Sequence, residues 1–331
     1  MISSRLRRLF TPPRVSLRNL RVPIPPSLAD VSQFESIIHE LGQNNGVFRT
    51  TFRHRFANLD PWVNTQLSAR FPSASPLTVA DWAASDCLTS AEWAGSLFSR
   101  FPQATLCASD LALSLFEIIV PGQGTFIAEQ SGHALQFLPE SHFFSSMILQ
   151  LHPRESNRRP WRHWAAQRAL RRFHTLWNTL PPEALQVPTW TNATGVRLLS
   201  LPLIHPEAET LHQRDPRFSV TQHSAFVPLQ VPVDVIRSMN IFNQSYFPPE
   251  RLAEGARAVW QSLRPASQGP GGLWIVGRTV QPSPPIHEVS LFARTDSGFT
   301  LLSRIGPGSE IESLVLATIY PSSGYPTGFP A

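Results

Sequence analysis

Two acids set among small residues are the first places where chemistry can be read. Val79-Ala80-Asp81-Trp82-Ala83-Ala84-Ser85-Asp86-Cys87 has the pattern of a buried strand that ends in small residues and then opens a helix. Ala104-Thr105-Leu106-Cys107-Ala108-Ser109-Asp110 has the pattern of the next strand, stopped by a carboxylate. Strand, small-residue turn, helix, strand, acid is how a doubly wound α/β domain holds an adenosine-containing cofactor. Small residues let the backbone approach the ligand, and the acid accepts from the ribose hydroxyls. Such a turn usually carries glycines, but this chain has Ala83, Ser85 and Cys87 there. Each adds a Cβ and disfavours positive φ.

The elements that must position these residues follow from periodicity and punctuation. Residues 1–29 hold Pro12-Pro13 and Pro23-Ile24-Pro25-Pro26 near arginines and read as an extended or disordered leader. Residues 30–73 read as a helical cap, with Phe34, Ile37, Ile38 and Leu41 at helix spacing, a break at Gly42 and Gly46, and a second helix from Pro61 to Phe71. Leu77 to Ala83 is the first strand. Ser90 to Phe101 is a helix capped by Thr89 or Ser90, with Trp93, Leu97 and Phe98 inward. Ala104 to Ser109 is the second strand, and Leu111 to Ile118 is expected to start another helix.

Residues 118–195 interrupt the α/β order. Thr125 to Glu129 and Ala134 to Phe137 read as a hairpin. Trp161, Trp164, Leu170 and Phe173 interleave with Arg158, Arg159, Arg162, Arg168, Arg171 and Arg172 as a basic amphipathic helix. The alternation then resumes. Val196 to Leu203, Phe218 to His223 and Val233 to Asn240 are strands, and Pro206 to Gln213 is a helix. Pro248 to Leu263 is a helix with prolines in its first turn. Gly271-Gly272 leads into the strand Leu273 to Gly277. Val289 to Arg294 and Phe299 to Arg304 form an antiparallel pair joined by Asp296-Ser297-Gly298. The α/β domain thus spans 74–320, and 321–331 is a flexible tail.

Composition narrows the class. The 331 residues are 42% hydrophobic and 15% charged, enough for a full core. The net charge is +5 and every basic residue is Arg, which excludes Schiff-base and lysine general-base chemistry. Arginines gather at Arg5, Arg7 and Arg8 and between Arg154 and Arg172, either as solvated faces or as surfaces for nucleic acid or an anionic membrane. Cys87 and Cys107 read as reduced core residues. His152, His163 and His174 lack metal-ligand spacing, so no metal is expected. No run approaches the ~18 apolar residues of a membrane span. Met1 to Phe10 is basic without a following apolar stretch, unlike a secretory signal. A cytoplasmic protein is expected, of unassigned oligomeric state.

The order of elements resembles a class I S-adenosylmethionine-dependent methyltransferase over about residues 77–305. Three places carry the likeness: Asp81 to Cys87, Asp110, and Val233-Asp234-Val235-Ile236-Arg237-Ser238-Met239-Asn240-Ile241-Phe242-Asn243 with the helix after it. That helix ends in Leu263-Arg264-Pro265 and leads through Gly271-Gly272 to Leu273-Trp274-Ile275-Val276-Gly277-Arg278. Ala266 to Pro270 lengthen a join that is normally tight. A narrower similarity is to chemotaxis receptor methyltransferases, through Met239-Asn240-Ile241, Tyr246-Phe247 and Phe48-Arg49-Thr50-Thr51-Phe52-Arg53.

The resemblance implies a doubly wound, mostly parallel seven-stranded sheet with an antiparallel last strand, and S-adenosylmethionine as cofactor. Asp110 would accept from both ribose hydroxyls, with Leu111 beside it, although Asp110 also suits a helix N-cap. Asp81, Ala83, Ser85 and Asp86 would line the methionine part. Ser224 and Ala225, after His223, would meet the adenine, and Phe226 could stack on it. Asn240 and Asn243 would lie near the transferred methyl and orient the acceptor, or be turn formers. Tyr246 and Phe247 would wall the acceptor pocket or belong to the core. Two rivals stand beside methyl transfer to a small molecule or protein side chain. One is a degenerate fold that binds without catalysis, and the other is nucleic-acid methylation through the Arg/Trp-rich helix.

Overall fold

The computed structural model describes residues 16–41, 51–140, 148–151 and 160–320. The Gly42 and Gly46 break, Phe48-Arg49-Thr50, Arg5, Arg7, Arg8, His152, Arg154, Arg158, Arg159 and the 321–331 tail lie outside the described residues. The chain forms two compact units, one of residues 1–50 and 114–206, the other of 51–113 and 207–331. The helices expected as one cap therefore divide: α1 (Leu28–Glu40) belongs to the first unit and α2 (Asp60–Ser68) to the second.

The second unit is built on a seven-stranded sheet. Its strands are β1 (Thr78–Trp82), β2 (Thr105–Asp110), β9 (Phe218–Gln222), β10 (Val235–Met239), β11 (Leu273–Pro282), β12 (Pro285–Arg294) and β13 (Phe299–Ile305). Their order across the sheet is β13-β12-β11-β10-β1-β2-β9. From β9 to β11 every pair is parallel, while β12 runs against both β11 and β13. The mostly parallel sheet with an antiparallel close is the expected one. Its inner strands are apolar on both faces, as parallel strands covered on both sides must be. The chain builds β1, β2 and β9 outward in one direction and then returns to place β10 on the other side of β1. That reversal is the topological switch point where such sheets bind ligands, outside the carboxyl ends of the strands.

Two helices fix this edge. Helix α3 (Leu88–Arg100) follows β1 and buries Leu88, Trp93, Ala94, Leu97 and Phe98. It starts two residues before the expected cap, so Thr89 and Ser90 are buried within its first turn. Helix α6 (Pro249–Ser262) follows β10, with Pro249 pre-set at its first position and Leu252, Ala256, Val259 and Trp260 on its buried face. Gly255 is required there, because a Cβ would stand 2.2 Å from the Phe242 ring. At the amino edge Asp234 accepts from Thr78 N (2.8 Å) and from Arg264 Nε (2.6 Å). The Asp and Leu-Arg-Pro of the resemblance thus clamp β10 to β1.

The first unit is larger than the expected insertion. Strand β3 (Ser114–Val120) replaces the helix expected from Leu111. With β4 (Gly124–Glu129), β5 (Ala134–Pro139), β6 (Leu149–Gln150), β7 (Thr189–Thr191) and β8 (Arg197–Pro202) it forms an antiparallel sheet in the order β6-β5-β4-β3-β8-β7. The 196–203 strand therefore pairs with β3 and not with the main sheet. Helix α4 (Pro160–Trp177) packs Ala166, Ala169 and Phe173 on the face that carries Phe116, Ile118 and Phe126. The opposite face, with Leu115, Ile127 and Leu135, holds Phe34, Ile37 and Ile38 of α1 and the short helical turn Leu17–Leu20. Buried Glu117 of β3 takes Arg18 (2.5 Å) and Arg21 (3.1 Å) as partners. Helix α5 (Pro206–Arg214) leads back to the second unit.

Candidate cofactor site

The turn after β1 carries the strongest signal. Ala83, Ser85 and Cys87 have φ of 56°, 60° and 64°. These are the positions where the resembled turn carries glycine, and the backbone keeps the glycine conformation without glycine. A left-handed conformation costs an L-residue about 1–2 kcal/mol. Asn240, at the end of β10, has φ of 62°. Among the described residues five non-glycine residues have positive φ, and four of them flank the switch point at the carboxyl ends of β1 and β10. Strain gathered in this way marks functional sites more often than neutral turns.

Hydrogen bonds hold the turn against β2. Ala84 N donates to Ser109 O (2.9 Å) and Ser85 N to Asp110 Oδ2 (2.8 Å). Asp110 Oδ1 accepts from Ala112 N (3.1 Å). Asp110 therefore forms a two-residue side-chain turn where a helix N-cap was one of the readings, because a strand follows it. Its backbone oxygen accepts from His223 N (3.0 Å), which ties the end of β9 to the same edge. Leu111 beside Asp110 is an apolar side chain 65% exposed.

Three buried polar atoms at this edge have no hydrogen-bond partner: Trp82 Nε1, Ser85 Oγ and His223 Nε2. An unmet buried polar atom costs about 1–3 kcal/mol and calls for an explanation. The Trp82 and His223 rings pack together, with centroids 5.0 Å apart. Burial lowers the His223 pKa, so the imidazole is neutral at pH 7. Ser224 Oγ accepts from Phe226 N (3.3 Å), and Ala225 is buried in the core beside Trp82 and Phe242.

Other expected residues have different employment. Asp81 is buried and engaged within the protein. Its oxygens accept from Arg237 Nε (2.9 Å), from Arg237 Nη2 and from Ser90 Oγ (2.6 Å). Arg237 is fully buried and also donates to Asp60 Oδ1 (2.8 Å), with Trp93 under its guanidinium at 4.1 Å. A buried cation must be paired. The cross-strand register sets Asp81 directly opposite Arg237, which fixes the choice. Burial lowers the Arg237 pKa, but Asp81 and Asp60 outweigh it and the net shift is upward. Burial pushes Asp60 up to about 7 against the pull of Arg237.

Asp86 is buried and accepts from Leu88 N (3.1 Å), closing the entry to α3. Asn240 Oδ1 accepts from Thr279 N (2.8 Å), and Asn243 Oδ1 from Ser245 N (2.7 Å) and Ser245 Oγ (2.6 Å). Asn243 thus acts as a turn former, one of the two expected readings, while the Asn240 side chain ties the end of β10 to β11. Phe247 packs on Phe226 with centroids 4.8 Å apart, and Tyr246 is 52% exposed. Sequence reasoning missed Trp82 and Arg237. The signal for Arg237 was a lone charge inside Val235-Ile236-Arg237-Ser238-Met239, a strand otherwise built for burial. Cys87 is buried, Cys107 is half-buried, and neither is in a disulfide. Among the described residues no group of side chains could hold a metal, and no helix is long and apolar enough to cross a membrane.

Comparison with known proteins adds the following. No family model matches the sequence, and no curated protein matches it. Structures similar to the chain are repeatedly S-adenosylmethionine-dependent methyltransferases. SibL, an S-adenosylmethionine-dependent methyltransferase, is 9% identical with a TM-score of 0.28, covering 68% of this chain and 36% of its own. CalS10, an amino pentose methyltransferase from Micromonospora echinaspora, is 11% identical with a TM-score of 0.29, covering 76% and 69%. DesVI from Streptomyces venezuelae is 10% identical with a TM-score of 0.32, covering 88% of each chain. The chain thus spans about a third of the length of SibL. What bears on function is the strained turn, the switch point and the three unmet polar atoms.

Proposed function

We propose that the carboxyl edge of the second unit binds S-adenosylmethionine and that the protein is a methyltransferase dependent on it. The observation that carries this is the left-handed backbone at Ala83, Ser85, Cys87 and Asn240, all at the switch point. The residues present fit such a cofactor. Asp110 stands at the end of β2, where a carboxylate meets ribose hydroxyls, and Ser85 N and Ala112 N hold it in place. Leu111, Ser224 and Ala225 sit after β2 and β9, where a flat base meets apolar and hydroxyl groups. Trp82 Nε1 can only donate, and Ser85 Oγ and neutral His223 Nε2 can meet a donor or an acceptor, so polar groups on a nucleoside answer them. The cofactor supplies a methyl on a sulfonium, transferred by in-line displacement. The chain's part is alignment and exclusion of water, which needs no acid or base. Asn240 and Asn243 shape the turns on the β10 side. Asp81 acts one step back, anchoring the turn through Ser90 and Arg237.

Calorimetric titration of the full chain with S-adenosylmethionine tests this. Binding is expected, with a loss of about 100-fold in Asp110→Ala, as for two hydrogen bonds to a charged group. No heat of binding up to the millimolar range would overturn the proposal. One observation favours a second reading, binding without turnover: Asp81, Asn240 and Asn243 all have their carbonyl or carboxylate oxygens engaged. Equal affinity for S-adenosylhomocysteine, with no labelled methyl passed to any acceptor offered, would favour that reading.

A further inference from the structure

Helix α4 of the first unit has a face that methyl transfer leaves unused. Its 18 residues hold Arg162, Arg168, Arg171 and Arg172 and no acid. Its inner face is closed against the antiparallel sheet through Ala166, Ala169 and Phe173. At 3.6 residues per turn Arg171, Trp164, Arg168, Trp161 and Arg172 fall on the opposite side within an arc of about 100°, along about 16 Å of axis. All five are exposed, Trp161 by 47% and Trp164 by 59%. Arg168 lies over the Trp164 ring at 5.5 Å and Arg162 over the Trp161 ring at 5.4 Å. Two half-exposed indoles thus stand among arginines on a helix without acids, on the face turned away from the sheet.

We propose that this face binds single-stranded nucleic acid, with the arginines on phosphates and the two indoles stacked on bases. Unbalanced positive charge selects a polyanion. Flat aromatic surfaces between the charges select a polyanion with unpaired bases, each stack contributing about 1–3 kcal/mol. A bilayer would need the apolar face of the helix, which is already buried. An acidic peptide would use the arginines and leave the indoles bare.

Fluorescence anisotropy of a labelled 12-nucleotide oligouridylate with the full chain tests the proposal between 50 and 200 mM salt. Engagement of three phosphates gives a slope of log K against log salt of about −2. Trp161→Ala/Trp164→Ala is expected to weaken binding by at least 10-fold with the slope unchanged. Arg168→Gln/Arg171→Gln is expected to flatten the slope by about 1.4. These side chains point to solvent, and unchanged circular dichroism and melting midpoint confirm the fold of each variant. Wild-type affinity in the tryptophan double variant would overturn the proposal, as would equal affinity for a duplex of the same length. Preferential capture by phosphatidylserine vesicles would overturn it in favour of a membrane. The readout does not involve S-adenosylmethionine, so failure of either proposal leaves the other standing.

Discussion

Glycine substitutions along Ala83 to Asp86 should alternate in sign. At Ala83 the change to Gly removes a Cβ from a left-handed backbone, relieving about 1–2 kcal/mol. Against this, glycine gives the unfolded chain extra freedom worth about 0.5–1 kcal/mol. A net gain of about 0.5–1 kcal/mol remains. At Ser85 the same balance holds, and the change also deletes a buried hydroxyl without a partner, so about 1–2 kcal/mol is expected. Ala84 is buried and has no left-handed strain to relieve, so Ala84→Gly should lose about 1 kcal/mol. Asp86→Gly forfeits the bond to Leu88 N as well and should lose about 1–2 kcal/mol. Cys87→Gly trades strain relief against a fully buried side chain and should come out near zero.

Two units in one chain make a single global transition a poor reporter. Hydrogen exchange of peptides covering 78–110, followed against urea, reads the opening of the second unit alone. Gains at 83 and 85 with losses at 84 and 86 are the expected result. Losses at all four positions would mean that the backbone is not left-handed there, and the case for a cofactor turn would go with it. Ala83→Gly should also tighten S-adenosylmethionine binding, since a Cβ leaves the surface that meets the ligand, whereas Ser85→Gly should weaken it by removing the hydroxyl that meets the nucleoside.

Other outcomes follow from buried charge. Arg237→Met leaves Asp81 and Asp60 facing each other in the core and should cost about 3–5 kcal/mol, recovered when both acids are also made Asn, as urea midpoints of the second unit will show. Asp60 has its pKa raised to about 7, above its unfolded value. Its contribution is therefore complete below about pH 4 and is lost as pH rises to about 7, by roughly 4 kcal/mol at most. Asp60→Asn should flatten that slope, and a wild-type stability that climbs from pH 5 to 7 with the same slope in Asp60→Asn would refute the assignment. In the first unit, Glu117→Gln removes the buried charge that holds Arg18 and Arg21. Trypsin should then cut at those arginines at least several-fold faster, and an unchanged rate would show that the Leu17–Leu20 turn is held by apolar packing alone.

How much of this was legible depends on how far each partner lies along the chain. Helices α3 and α6 were readable because each buries one stripe, Trp93 with Leu97 and Leu252 with Ala256 and Val259, and solvates the other. Strand β3 was misread as a helix because it is covered on both faces, Phe116 and Ile118 on one and Leu115 on the other, which erases the alternation that marks a strand. The 196–203 strand was assigned to the wrong sheet because its partner is β3, about 80 residues earlier, and no local pattern encodes that pairing. The turn was readable from its small residues, which let the backbone approach a ligand, but its left-handed backbone was not, because Ala83, Ser85 and Cys87 each carry a Cβ that disfavours positive φ. The role of Asp81 was not readable, because its partner Arg237 is 156 residues away and meets it only through the β1–β10 register. That pairing has a chemical consequence. With the β1 carboxylate neutralised inside the core, the acid left to recognise a sugar at this edge is the one on β2, so selectivity for the nucleoside should rest on Asp110, and Asp81→Asn should alter stability far more than affinity.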